Sequence, residues 1–339
     1  MPIPFLLIGI GAATAATGAV KTVKAGINQK EANNTNKKAQ KIVDIATDRV
    51  NATRKISGDS IVNLGQKKIW VLENSIKPFI DSFEKLHNVE LSETVGMEEL
   101  QKFHMDVESF GELKKMGLMA SSLLKGTAGG AALGAITAYG AYGGAMAFGA
   151  ASTGTAIASL SGAAATNATL AFLGGGALSV GGLGMAGGTA VLGGLVAGPA
   201  LAVMGFVVGA KAGANRDTAY TNLAKAMEYK EEMKTAEMLC RGIRMRADMF
   251  DRLLIRLDSL FSPLVYELEQ IIVSVGTDFG MYSKEQKHVI AKALSLANAL
   301  KSVLDTPILT KDGKLTLESE KVVEEIQTKI NEEKQNDTI

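Results

Sequence analysis

Few residues in this chain stand where chemistry would need them. The run Gly182-Leu183-Gly184-Met185-Ala186-Gly187 has the glycine spacing of a dinucleotide-binding turn, in which bare backbone approaches a pyrophosphate. That chemistry also needs a strand before the turn and an acidic residue about twenty positions later to hold the ribose. No strand pattern precedes Gly182 and the next acidic residue is Asp217, so the match reads as coincidence in a glycine-rich stretch. Gly209-Ala210-Lys211 lacks the Gly-Lys pair and the adjacent hydroxyl of a phosphate-cradling P-loop. His87, His104 and His288 are far apart, and no two of them form a metal pair at helical spacing; surface or packing roles are expected rather than metal binding. Cys240 has no neighbouring His and reads as a buried structural thiol, with no disulfide within the chain. Asp312-Gly313 lacks the alternating oxygens of a calcium loop and reads as a turn. Met227, Met233, Met238, Met245 and Met249 are soft enough to line a protein-binding groove, but most are expected on the apolar face of a helix, as core. A non-enzyme without catalytic, cofactor or metal residues is expected.

What the sequence does carry is a separation of charge from apolar bulk. Residues 126–210 contain no Asp, Glu, Lys, Arg or His, although the chain has 36 Lys and Arg and 35 Asp and Glu. The net charge of +1 gives no general attraction for nucleic acid, which is not expected as a partner. More than half of the 37 glycines lie in 126–210. In water each would cost a helix about 1 kcal/mol relative to Ala. In a bilayer the backbone must satisfy its own hydrogen bonds, and a helix is one of only two ways to do so.

Small residues four apart let helix backbones approach closely. They recur at Gly126/Gly130/Gly134, Gly140/Gly144, Gly184/Gly188, Gly194/Gly198 and Gly205/Gly209/Gly213, a glycine-zipper register expected at helix–helix contacts in or against a membrane. As helix the segment would run roughly 130 Å, about four crossings of a bilayer core. Breaks are expected near Ser152-Thr153-Gly154, at Gly174-Gly175-Gly176 and at Gly198-Pro199. Lys114, Lys115 and Lys125 before it and Lys211 and Arg216 after it place both ends on one side of a membrane, so an even number of crossings is expected. The segment is poor in leucine, which allows a second state: held inside a soluble bundle and released to a membrane later.

These features need elements to position them. Residues 1–33 form an apolar arm or anchor, uncharged from Met1 to Val20 and followed by Lys21, Lys24 and Lys30; if it spans, most of the chain is cytoplasmic. Ala13-Thr14-Ala15 leaves cleavage open. Residues 34–125 read as two or three stalk helices, with Ile61, Leu64, Leu72, Ile76, Phe79, Phe83 and Leu86 on one face, a kink at Pro78 and a break at 91–96. Residues 126–213 are the membrane-active segment, and 214–280 a second stalk helix. Its stripe through Met238, Gly242, Met245, Met249, Leu253, Leu257, Leu260, Leu264, Leu268, Ile271 and Val275 steps nearer to an 11-residue than a seven-residue repeat, and Pro263 should interrupt it late. Residues 281–339 hold a helix opened by a Ser283/Gln286 capping box, a short hairpin pairing Ile308-Leu309-Thr310 with Leu315-Thr316-Leu317, and a charged helix from about 318 to 334. The two long flanking helices are expected to bury their stripes against each other as an antiparallel stalk.

The stretch from Ser152 to Phe206, STGTAIASLSGAAATNATLAFLGGGALSVGGLGMAGGTAVLGGLVAGPALAVMGF, resembles bacterial glycine-zipper helical proteins, and LDTPILTKDGKLTLES from Leu304 to Ser319 is also similar. The resemblance implies polar helices flanking an apolar segment and a bacterial source, and carries no activity or site residues. In outline the layout is also similar to α-helical pore-forming toxins. The expected protein is all-α: an elongated helical bundle or coiled-coil stalk with a central glycine-rich helical hairpin segment and a small C-terminal turn plus helix. Its expected role is membrane association and insertion, with pore formation or membrane perturbation as the outcome. Expected partners are a lipid bilayer and further copies of itself. The rival expectation is a soluble helical scaffold that uses the segment as packing core and oligomer interface.

Overall fold

The computed structural model describes residues 18–89, 107–125, 136, 139–143, 216–310 and 314–336. The expectations for residues 1–17, the break at 91–96 and most of 126–213 lie outside the described residues. Those described are all-α and form no strand. In chain order the helices are α1 (Gly18–Val71), α2 (Lys77–Phe83), α3 (Val107–Lys125), α4 (Arg216–Val275), α5 (Lys284–Asp305) and α6 (Leu317–Asn336). The chain divides into two compact units, residues 1–49 with 202–234 and residues 50–201 with 235–339.

The two prolines act differently. Pro78 has no N–H for the carbonyl four residues back and its ring crowds that carbonyl. The helix absorbs this in a π turn at Leu72–Ile76, closed by the Lys77 N–H on the Leu72 carbonyl. Pro263 interrupts nothing: α4 runs unbroken to Val275. Pro263 and Ser259 are both exposed, so the carbonyl left without its donor is open to water. Gly276, at φ 102°, closes α4 in the left-handed region that favours glycine, its N–H on the Ile272 carbonyl at 3.0 Å.

Burial along α4 overturns the expected 11-residue register. Ala236, Ile243, Phe250, Leu257 and Ile271 are buried seven or a multiple of seven apart, and Cys240, Ala247, Leu254, Phe261 and Leu268 form a second buried row at steps of seven. This is the spacing that keeps two rows facing a partner helix. Met238 and Met245, assigned to the core by hydrophobicity, are 59% and 62% exposed, and Leu260 and Val275 are exposed too. Partner position, not residue hydrophobicity, sets the buried face.

In the first unit α1 and α4 meet through small side chains: Ala39, Val43 and Ala226 form the core, with Tyr229 against it. Polar bridges join Glu31 to Arg216 (3.5 Å), Asn36 to Asn222 (3.1 Å) and Thr47 to Tyr229 (3.0 Å). Both partners' numbers rise together, so the helices run parallel. In the second unit the order is the same: Ser57 Oγ donates to the Cys240 carbonyl (2.6 Å), Ser75 meets Ser262 (3.3 Å), and Asn88 donates to Asp278 (3.1 Å). The antiparallel stalk is therefore corrected to a parallel pair. The antiparallel neighbour of α1 and α2 is α3, where Lys114 pairs with Glu84 and Ser121 donates to Glu73.

The core of the second unit is aromatic at one level, with Phe79 edge-on to Phe261 at 5.3 Å and Phe83 between Phe79 and Phe110. α5 opens with the expected capping box, the Ser283 hydroxyl on the Gln286 N–H and the Gln286 side chain on the Ser283 N–H. Ser283→Ala is expected to cost about 1 kcal/mol, read as a lower urea midpoint with an unchanged slope. The hairpin is a single Leu309–Leu315 bridge rather than two strands. Its second arm is cut short because Thr316 caps α6, accepting the Ser319 N–H at 3.2 Å, and Leu317 is already helical.

Candidate functional site

The described start of the glycine-rich segment, Ile136 and residues 139–143, lies in the core of the second unit. It is seated on α1 where two glycines face each other. A Cβ at Gly65 would overlap the Ile136 carbonyl, and one at Gly140 would overlap the Ile61 carbonyl and stand 2.9 Å from the Gly65 nitrogen. Backbone meets backbone there, which only glycine permits. Beyond it, Gly143 (φ 57°) lies against the end of α5, where a Cβ would come 2.8 Å from the Asp305 carbonyl carbon. The Ile308 and Leu309 N–H groups donate to the Ala141 carbonyl at 2.8 and 3.2 Å.

Beside this seat is a charge in the core. Lys68 is fully buried. Its Nζ donates to the carbonyls of Leu304 (3.1 Å) and Thr306 (3.5 Å), groups at the end of α5 where the dipole favours a cation. It also lies over the rings of Tyr139 (5.6 Å) and Phe250 (5.8 Å). Burial pulls its amine down from 10.5 to about 7, and the nearby Asp305 resists. Burial likewise pushes the Asp305 carboxyl up, against Lys301. Lys301 bridges Glu112 of α3 (2.7 Å) and Asp305 (3.8 Å). The Tyr139 hydroxyl is buried with no hydrogen-bond partner among the described residues.

Of the zipper glycines, Gly140 is at this crossing. Gly126, Gly130, Gly134, Gly144, Gly184, Gly188, Gly194, Gly198, Gly205 and Gly209 lie outside the described residues, as do His104 and Asp312-Gly313. Cys240 is buried, its thiol pushed up by burial against the pull of Arg54. His87 and His288 are exposed. Gly65 and Lys68 were not singled out by sequence. Both fall on the buried rows of α1, Lys68 seven residues after Ile61 and seven before Ser75, and a lysine in that row was the available signal.

The arrangement holds no metal cluster and no helix long and apolar enough to cross a membrane, among the described residues. Compared with known proteins, the chain matches no family model, no curated protein and no solved structure.

Proposed function

We propose that this is a membrane-acting helical protein that keeps the start of a charge-free glycine-rich segment seated in its bundle and delivers that segment to a bilayer. The seat at Gly65, Gly140 and Lys68 carries the reading: the segment's first described residues are docked by glycine contacts and hydrogen bonds as well as by the buried Ile136, Tyr139 and Tyr142 side chains. Small residues suit both a tight seat and helix–helix contact in lipid. On this reading α1 and α4, with their seven-residue burial, are the coiled-coil part of the bundle, and the zipper glycines line contacts within or between copies. The same seat also suits the rival scaffold, in which the segment never leaves the core.

Vesicle flotation separates the two. The full chain is compared with a variant in which residues 144–210 are replaced by a flexible Gly/Ser linker of equal length, which spares the seated residues. Flotation with the full chain, resistant to alkaline carbonate and lost in the variant, supports the proposal. Equal flotation of both, or of neither, overturns it, and flotation of neither selects the scaffold.

A further inference from the structure

Lys68 stands at a joint between four elements. The end of α5 gives it the Leu304 and Thr306 carbonyls, residues 139–143 give the Tyr139 ring, and α4 gives the Phe250 ring. The titratable and charged groups around it are Asp305, with Lys301 behind it, Glu112 of α3 through Lys301, and the Tyr139 phenol. α4 faces it with Phe250, while Arg246 turns to Ser319 and Glu320 of α6. On its own helix, Lys67 lies over Trp70. Residues 139–143 are fastened to the same end of α5 through the Ala141 carbonyl and the close approach of Gly143.

We propose that Lys68 is a proton-operated latch: its neutral amine keeps residues 139–143 seated against the end of α5, and its protonation loosens them. The inference rests on the membrane reading only for what the freed segment then does. A neutral amine has two N–H groups for two carbonyls and needs no counter-charge. An ammonium has a third N–H and a full charge; the end of α5, the two rings and Asp305 favour that charge, but full burial in a site whose nearest carboxylate is shared with Lys301 opposes it more strongly.

The sign follows from the two states of the amine. Seated, Lys68 titrates at about 7; with the seat open and the amine in water it returns to 10.5. The open state therefore binds more protons between those values, so seating weakens as pH falls through that window and levels off below it. From about pH 8 to about pH 6 the seating constant falls about tenfold.

Amide hydrogen exchange at Ile308 and Leu309, whose N–H groups bond Ala141, reads the seat directly, without lipid. After correction for the chemical exchange rate, protection is expected to be about tenfold lower near pH 6 than near pH 8. In Lys68→Met this dependence is expected to vanish. In Asp305→Asn, which lacks the charge that supports the ammonium, the loosening is expected to continue to lower pH before it levels off. Equal protection at both pH values in the unaltered protein overturns the latch, as does a drop that persists in Lys68→Met. Should that variant not fold, an unmoved levelling-off pH in Asp305→Asn overturns it. A second arm adds vesicles of equal parts phosphatidylcholine and phosphatidylglycerol. Tighter binding at the lower pH, absent in Lys68→Met, supports the latch as the trigger. Exchange that responds to pH with no vesicle binding at either pH overturns the membrane reading and leaves the latch standing. Vesicle binding with pH-independent exchange overturns the latch alone.

Discussion

Phe250→Ala is expected to lower the free energy of unfolding by about 3–5 kcal/mol. Phe250 is fully buried in one of the seven-residue rows of α4, so truncation removes a large apolar surface and leaves a hole that rigid neighbours fill only in part. It also strips one of the two rings that cover Lys68. Water admitted to that hole would hydrate the amine and bring it back toward 10.5. The variant should therefore lose part of the rise in stability that the unaltered protein shows from about pH 7 upward. Urea denaturation followed by circular dichroism at neutral and alkaline pH checks both effects. A loss below about 1 kcal/mol would show that the ring is not the cover described.

The second large effect is at the glycine crossing. Gly65→Ala and Gly140→Ala are each expected to cost about 3 kcal/mol, the upper end of ordinary overpacking. The reason is what the new methyl would meet: carbonyl groups of a facing backbone, which cannot rotate away as a side-chain end would. The intrinsic preference of helices for Ala, up to about 1 kcal/mol, works in the opposite direction. Gly111→Ala in α3 isolates that term, because nothing lies within 4 Å of a Cβ there. It is expected to raise stability by about 0.5–1 kcal/mol. Since Gly65 and Gly140 touch, the double variant should cost less than the two singles combined. If Gly65→Ala behaves like Gly111→Ala, the crossing is not the close contact described.

The helical architecture was legible because its signals are local. The capping box at Ser283 and the glycine stop at Gly276 act within a few residues of themselves. The burial of Ile61, Leu64, Leu72, Ile76 and Phe79 is likewise written in their spacing. What could not be read locally depends on the partner surface. Met238 and Met245 are apolar enough for a core, yet among the described residues no partner covers their side of α4 and they remain exposed. Helix direction is a similar case. Two amphipathic helices bury their stripes equally well in either sense, and only cross-pairs such as Asn36 with Asn222 decide it. Lys68 was hidden by its own type, because a lysine is read as a surface residue until the carbonyls and rings that enclose it are in view.

The parallel pairing has a consequence for the order in which the protein is made. Lys68 and the Leu304 carbonyl it bonds are 236 residues apart. At about 5–20 residues per second, roughly ten to fifty seconds of translation separate them. The charge-free stretch leaves the ribosome inside that interval, before the end of α5 that seats residues 139–143 has been synthesised. Nor can α1 find its parallel neighbour early, since Ser57 and Cys240 lie 183 residues apart. For a period long compared with helix formation, the nascent chain therefore carries Ile136, Tyr139 and Tyr142 without the α5 residues that share their core. Whatever meets it at the exit tunnel, chaperone or bilayer, acts on it before the latch exists.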